Sequence, residues 1–190
     1  MCLYERFSPS AISFSIVSKR EKLINLNNKA MKKLITSLIL LLTMVSLHAT
    51  DFTYEGINYT VLDETAKTCK TKDGTSTSID DQTVITPGNS VSGNLTIPQT
   101  VYNDEVAYTV VLIGKLSFAT SELTSVVLPQ SVTEIGKDAF YRCHELIAIN
   151  LPSSLKIINN AAFHDCSSLI SIDIPDSVKD VGSYAFAGCN

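Results

Sequence analysis

Positive charge is scarce in most of this 190-residue chain. Residues 51–190 carry eight Lys/Arg against 17 Asp/Glu, a net of −9, whereas residues 1–50 carry seven Lys/Arg against two Asp/Glu. An acidic body of this kind excludes a nucleic-acid partner, which needs a basic footprint. Tryptophan is absent. There is no glycine-rich phosphate loop, no zinc-spaced Cys/His set and no carboxylate pair in a distinctive setting. The expectation is a non-enzymatic protein without metal or cofactor. The apolar run at 34–47 is too short to span a membrane comfortably.

That run explains where the basic residues went. Met31, Lys32 and Lys33 form a short positive start before the apolar core, and Ala49 offers a small residue at a plausible cleavage point. This predicts a secretory signal peptide over 31–49. No cysteine follows the core, so a lipid anchor is not expected. Residues 1–30 are an unusually long leader, and we read them as an over-extended start, disordered, with translation beginning at Met31.

The rest of the chain is organised by a repeat. Leu123, Leu146 and Leu169 each open a 23-residue segment, followed three residues on by Val126, Ile149 and Ile172. Leu128, Leu151 and Ile174 then each precede a proline, and Val132, Leu155 and Val178 precede Ile135, Ile158 and Val181. Each copy closes on Ala-Phe and a cysteine: Phe140 with Cys143, Phe163 with Cys166, Phe186 with Cys189. A fixed period in this range means stacked units, because one copy alone buries too little to fold. The first apolar trio predicts a short inward-facing strand ended by proline. Gly136, Gly182 and, in the middle copy, Asn159 suit a corner with positive φ. The Ala-Phe-x-x-Cys spacing predicts one turn of α- or 3₁₀-helix.

The pattern L-x-x-[VI]-x-[LI]-P-x-S-[VL]-x-x-[IV]-G-x-x-A-F-x-x-C resembles the BspA-like subclass of bacterial leucine-rich repeats over residues 113–190. The resemblance implies secreted or surface-attached binding proteins, several of them adhesins and none an enzyme. The fold expected is β-dominated α/β: a right-handed leucine-rich-repeat solenoid of about 23-residue coils with an N-terminal β-hairpin cap.

The expected layout is a β cap over 50–112 and repeats over 113–190: a short copy at 113–122, then 123–145, 146–168 and 169–190. Phe52, Tyr54, Ile57, Tyr59 and Val61 alternate, with Glu55-Gly56 as the turn of a hairpin. Residues 94–98 resemble the strand-proline part of the repeat, and Tyr102 to Leu112 read as a second hairpin turning at Asn103-Asp104. The last copy lacks a cap, so its edge is expected to be open to self-association. A longer array, cut within the repeat, is the preferred explanation.

Few residues are candidates for chemistry. Cys143, Cys166 and Cys189 form a ladder beside phenylalanines that must be buried. Buried thiols acting as small hydrophobes are the favoured reading, with a disulfide as the alternative. Ser131, Ser154 and Ser177 recur after the prolines and read as turn hydroxyls bonding the backbone. The outward strand positions are Thr124, Ser125 and Val127; Ile147, Ala148 and Asn150; and Ile170, Ser171 and Asp173. Ile147 and Ile170 side by side within a polar rim make a candidate protein-binding strip. No aromatic lies on it, which weakens a sugar-binding reading. Two functions stay open: a secreted protein-binding or adhesion module for a host or neighbouring-cell surface, and a spacer in a longer surface protein.

Overall fold

The computed structural model describes residues 50–79 and 82–190; the expectations for 1–30 and 31–49 lie outside them. Three sheets form. β1 (Asp51–Tyr54) and β2 (Ile57–Asp63) make an antiparallel hairpin through Glu55-Gly56, and both turn residues have positive φ. β2 pairs with β3 (Thr68–Thr71), which pairs in parallel with β8 (Val106–Ile113). β7 (Thr100–Asn103) completes a hairpin with β8. Its turn falls at Asp104-Glu105, one residue later than the sequence suggests, and Asp104 supplies the positive φ. β4 (Thr75–Ile79) and β5 (Gln82–Thr86) form a separate two-stranded sheet.

From β8 onward the large sheet is built by the repeats, as β10 (Glu134–Ile135), β12 (Ile157–Ile158) and β13 (Asp180–Val181), all parallel. Ile113 lies opposite Ile135 and Ile135 opposite Ile158, so the offset grows from 22 residues (135 − 113) to 23 (158 − 135). The copy leading into the repeats is thus one residue short, as its spacing indicates. A third sheet runs β6 (Ser92–Thr96), β9 (Glu122–Val127) and β11 (Ala148–Asn150), again parallel. The strand-like stretch 94–98 therefore does join the repeat ladder. The last copy does not: Ile170, Ser171 and Asp173 lie outside any strand.

Inside, the apolar positions converge. Leu123, Val126, Leu128, Val132 and Ile135 are buried, and so are Leu146, Leu155 and Ile158. Phe118, Phe140, Phe163 and Phe186 stack in one column with ring centroids 5.3–5.5 Å apart, the last two pairs tilted by only 2°.

Two local expectations fail. Among the described residues there is no helix; Ala-Phe-x-x-Cys lies in turns. Along this face alternate N–H groups have different partners. Ala139, Tyr141 and Cys143 donate three residues back, whereas Asp138, Phe140 and Arg142 donate to Asn160, Ala162 and His164 of the next copy. That alternation puts Asp138, Arg142, Ala161 and Asp165 at φ of 53–58° and rules out a continuous helix. The corner residues Gly136, Asn159 and Gly182, by contrast, do not have positive φ. At Gly136 and Gly182 glycine permits close approach to the preceding copy. A Cβ on Gly136 would lie 2.7 Å from the Ile113 carbonyl oxygen and 2.8 Å from the Lys115 nitrogen.

Candidate protein-interaction face

The sheet β6–β9–β11 sets the geometry of the candidate face. In register across it, Asn94 lies beside Ser125 and Ser125 beside Ala148, while Thr96 lies beside Val127 and Val127 beside Asn150. Successive residues of a strand point to opposite sides, so burying Val126 turns Ser125 and Val127 outward. Val127 is 46% exposed, Ile147 60% and Ile170 76%. Ala148, Asn150, Ser171 and Asp173 are also exposed, and Thr124 and Ser125 are half-buried. The Ile147 N–H donates to the Thr124 carbonyl at 2.9 Å, which fixes Ile147 to the neighbouring strand. Ile170 has no such strand to hold it.

Asn94 is the residue that sequence reasoning missed. Its Oδ1 accepts from the hydroxyls of Thr124 at 2.9 Å and Ser125 at 2.8 Å, so one amide orders the polar end of the face. The available signal was its place in the strand-proline stretch, one copy ahead of Ser125.

The cysteine ladder is structural. The Cys143, Cys166 and Cys189 thiols donate to the carbonyls of Phe118, Phe140 and Phe163 in the preceding copy, at 3.1–3.2 Å. Ser121 takes the cysteine's place in the short copy and donates to the Asn89 carbonyl. The serines behave alike: Ser131, Ser154 and Ser177 donate to the carbonyls of Val110, Val132 and Leu155. These hydroxyls tie one copy to the last rather than closing their own turn. Arg142 and Asp165 do pair, Nε to Oδ2 at 3.6 Å, on a solvated face where such a pair contributes about 0–1 kcal/mol. His144 is exposed, and His164 is half-buried against Tyr141. Among the described residues no group of three or more His, Cys, Asp or Glu is placed to hold a metal.

Burial pushes the Cys143 and Cys69 thiols up to about 12 from an ordinary value of 9.0, and raises Cys166 as well. The unfolded thiols ionise near 9 while the folded ones keep their protons. The stability from burying neutral thiols is therefore complete below pH 9 and is lost as pH rises towards 12, at about 1.4 kcal/mol per pH unit for each thiol. The urea midpoint should fall between pH 8 and pH 10. At neutral pH a thiol reagent should label half-buried Cys189 well before Cys143 or Cys166; equal labelling rates would contradict the packing described here.

The BspA type Leucine rich repeat region, in six copies, matches residues 94–190, half of the chain. The chain belongs to this bacterial leucine-rich repeat family. Among solved structures it is similar to a leucine-rich repeat protein from Bacteroides capillosus, at 26% identity and a TM-score of 0.60, over 74% of this chain and 92% of that one. A Bacteroides ovatus leucine-rich repeat protein shares 31% identity over 74% of this chain, with a TM-score of 0.58. A leucine-rich cell surface protein from Faecalibacterium prausnitzii shares 31% over 73%, with a TM-score of 0.55. The chain spans only about a third of those last two proteins, 33% and 34%. No curated protein matches it. Among the described residues no helix is long and apolar enough to cross a membrane.

Proposed function

We propose that this protein is a secreted or cell-surface module that binds another protein, adhesion being the use that fits best, and that it has no enzymatic role. It is exported by the signal peptide at 31–49. Its repeats wind as a right-handed solenoid of about 23-residue coils, and the stretch 94–98, inside the cap expected over 50–112, belongs to their ladder. The observation that carries the reading is the exposure of Ile147 and Ile170 among Ser125, Ala148, Asn150, Ser171 and Asp173. Exposed apolar strips rimmed by polar residues mark protein interfaces. Kinship with repeat proteins that include a cell-surface one supports the location.

The test is substitution on the face. Ile147→Asp and Ile170→Asp should each reduce capture of a surface-protein ligand at least tenfold while leaving the urea midpoint within about 0.5 kcal/mol, the usual range for surface changes. Undiminished capture by both variants would remove this face from the function.

One observation favours a second reading, a spacer within a longer surface protein. Ile174 is 43% exposed and Val181 51%, although their counterparts Leu128, Ile135 and Ile158 are buried. A further repeat or a second molecule stacked on the last copy would cover them. Sedimentation over a range of concentrations separates self-association from a monomer.

A further inference from the structure

β6 is bonded along one side only, to β9. Beyond its other edge, a groove of about 250 Å³ lies between it and the β1–β2 hairpin. Val91, Leu95 and Pro98 line the groove from the β6 side, and Tyr54, Glu55 and Tyr59 from the hairpin. Asn58 ties the hairpin to the chain just ahead of β6. Its backbone N–H donates to Asn89 Oδ1 at 2.6 Å and its Nδ2 to the Gly88 carbonyl at 3.2 Å.

Four features of this groove are left unsatisfied by the fold. Among the described residues, no hydrogen bond reaches the main chain of β6 from its outer side. Leu95 is only partly buried, although its register partner Val126 is 1% exposed, so the core is open towards the groove at that point. Tyr59 is fully buried and its hydroxyl has no partner; an unpaired buried hydroxyl is costly. Glu55 is the one charged residue in the lining, and it is exposed without a cationic partner among the described residues.

We propose that this groove takes an extended, basic peptide segment of a partner protein, which adds to the outer edge of β6 as a fourth strand of the β6–β9–β11 sheet. In strand addition the main chain supplies affinity, and pockets for alternate side chains supply specificity. The five residues of β6 give an edge of ~17 Å at ~3.3 Å per residue, room for a segment of about five residues. An aliphatic side chain of the peptide packs on Leu95 and Val91. A lysine or arginine meets Glu55, and a carbonyl entering the groove offers the acceptor that the Tyr59 hydroxyl lacks. The site is independent of the outward face, because a strand paired on this edge needs neither Ile147 nor Ile170.

The full chain should be titrated with a fluorescent, end-capped heptapeptide of alternating valine and lysine. The expected result is saturable binding, with amide shifts confined to residues 91–98 and 54–59. Binding should weaken at least tenfold when the peptide amides that face β6 are N-methylated, and at least tenfold for Glu55→Lys. A valine–glutamate peptide should not bind, and Ile147→Asp should leave the affinity unchanged. No saturable binding overturns the proposal, as does equal affinity for the N-methylated peptide. So do shifts centred on Ile147 and Ile170, which would assign the peptide to the outward face. Shifts at 92–96 that grow with protein concentration in the absence of peptide would give the edge to a second copy of this chain and also overturn it.

Discussion

Phe163→Ala should destabilise the protein by about 3–5 kcal/mol, the cost of emptying a fully buried aromatic site. Phe163 has no exposure, and its ring sits 5.3 Å from Phe140 and 5.4 Å from Phe186, each nearly parallel to it. Removing it opens a cavity and breaks two stacking contacts, each worth about 0.5–1.5 kcal/mol beyond the area buried. A small domain has only about 5–15 kcal/mol of net stability, so the variant should lose about a fifth of it or more. Phe186 is the control. It is half-buried and stacks on one phenylalanine, so Phe186→Ala should cost less than half as much. Urea unfolding of both variants, followed by far-ultraviolet circular dichroism, gives the comparison. Equal losses would mean that the ring column is not a continuous core and that each copy is held by something else.

That column was legible in the sequence because a period reports which positions share an environment. Once Leu123, Leu146 and Leu169 are aligned, Phe140, Phe163 and Phe186 must occupy equivalent places. The half-buried serine ladder and the cysteine ladder follow by the same logic. A period does not report what the neighbouring backbone is doing. The left-handed residues Asp138, Arg142, Ala161 and Asp165 are of three different types, and none is the glycine that such a φ favours. They are set by alternate N–H groups reaching to the next copy, a long-range bond that no local propensity encodes. Ala-Phe-x-x-Cys looked helical because its i→i−3 bonds are real, but they occupy only every second N–H.

The candidate face was legible only in part, for a related reason. Alternation turns Ser125 and Val127 away from buried Val126, and Val127 and Ala148 are exposed while Ser125 is half-buried. The period then extended the strand to Ile170 and Ser171, where the structure has none. A strand needs a partner to bond, and equivalence of sequence does not guarantee one at the last copy. The role of Asn94 was hidden because it lies outside the three full copies, in a stretch whose pairing with β9 is a tertiary fact.

The corner glycine provides the sharpest test of this distinction between shared environment and close approach. Had Gly136 been selected for positive φ, alanine would be strained there by its own backbone and asparagine would be a good substitute. The structure gives Gly136 an ordinary φ and sets its α-carbon against the preceding copy, whose Ile113 oxygen, Gly114 carbon and Lys115 nitrogen would stand 2.7–2.8 Å from any Cβ. All three are main-chain atoms of a bonded layer and cannot swing aside as a flexible side chain can. Gly136→Ala should therefore push two copies apart and cost about 1–3 kcal/mol, with Gly136→Val at the upper end of that range or beyond it. Asn159 shows what accommodation requires: its Nδ2 donates to the Ile135 carbonyl at 3.0 Å and to Glu134 Oε1 at 2.7 Å, so the side chain replaces part of what crowding disturbs. Gly136→Ala should thus unfold at lower urea than Gly136→Asn, and Asn159→Ala should lose about 1 kcal/mol, the net worth of such a hydrogen bond. A Gly136→Ala variant as stable as the parent would show that the copies are packed less closely than the stacked core demands.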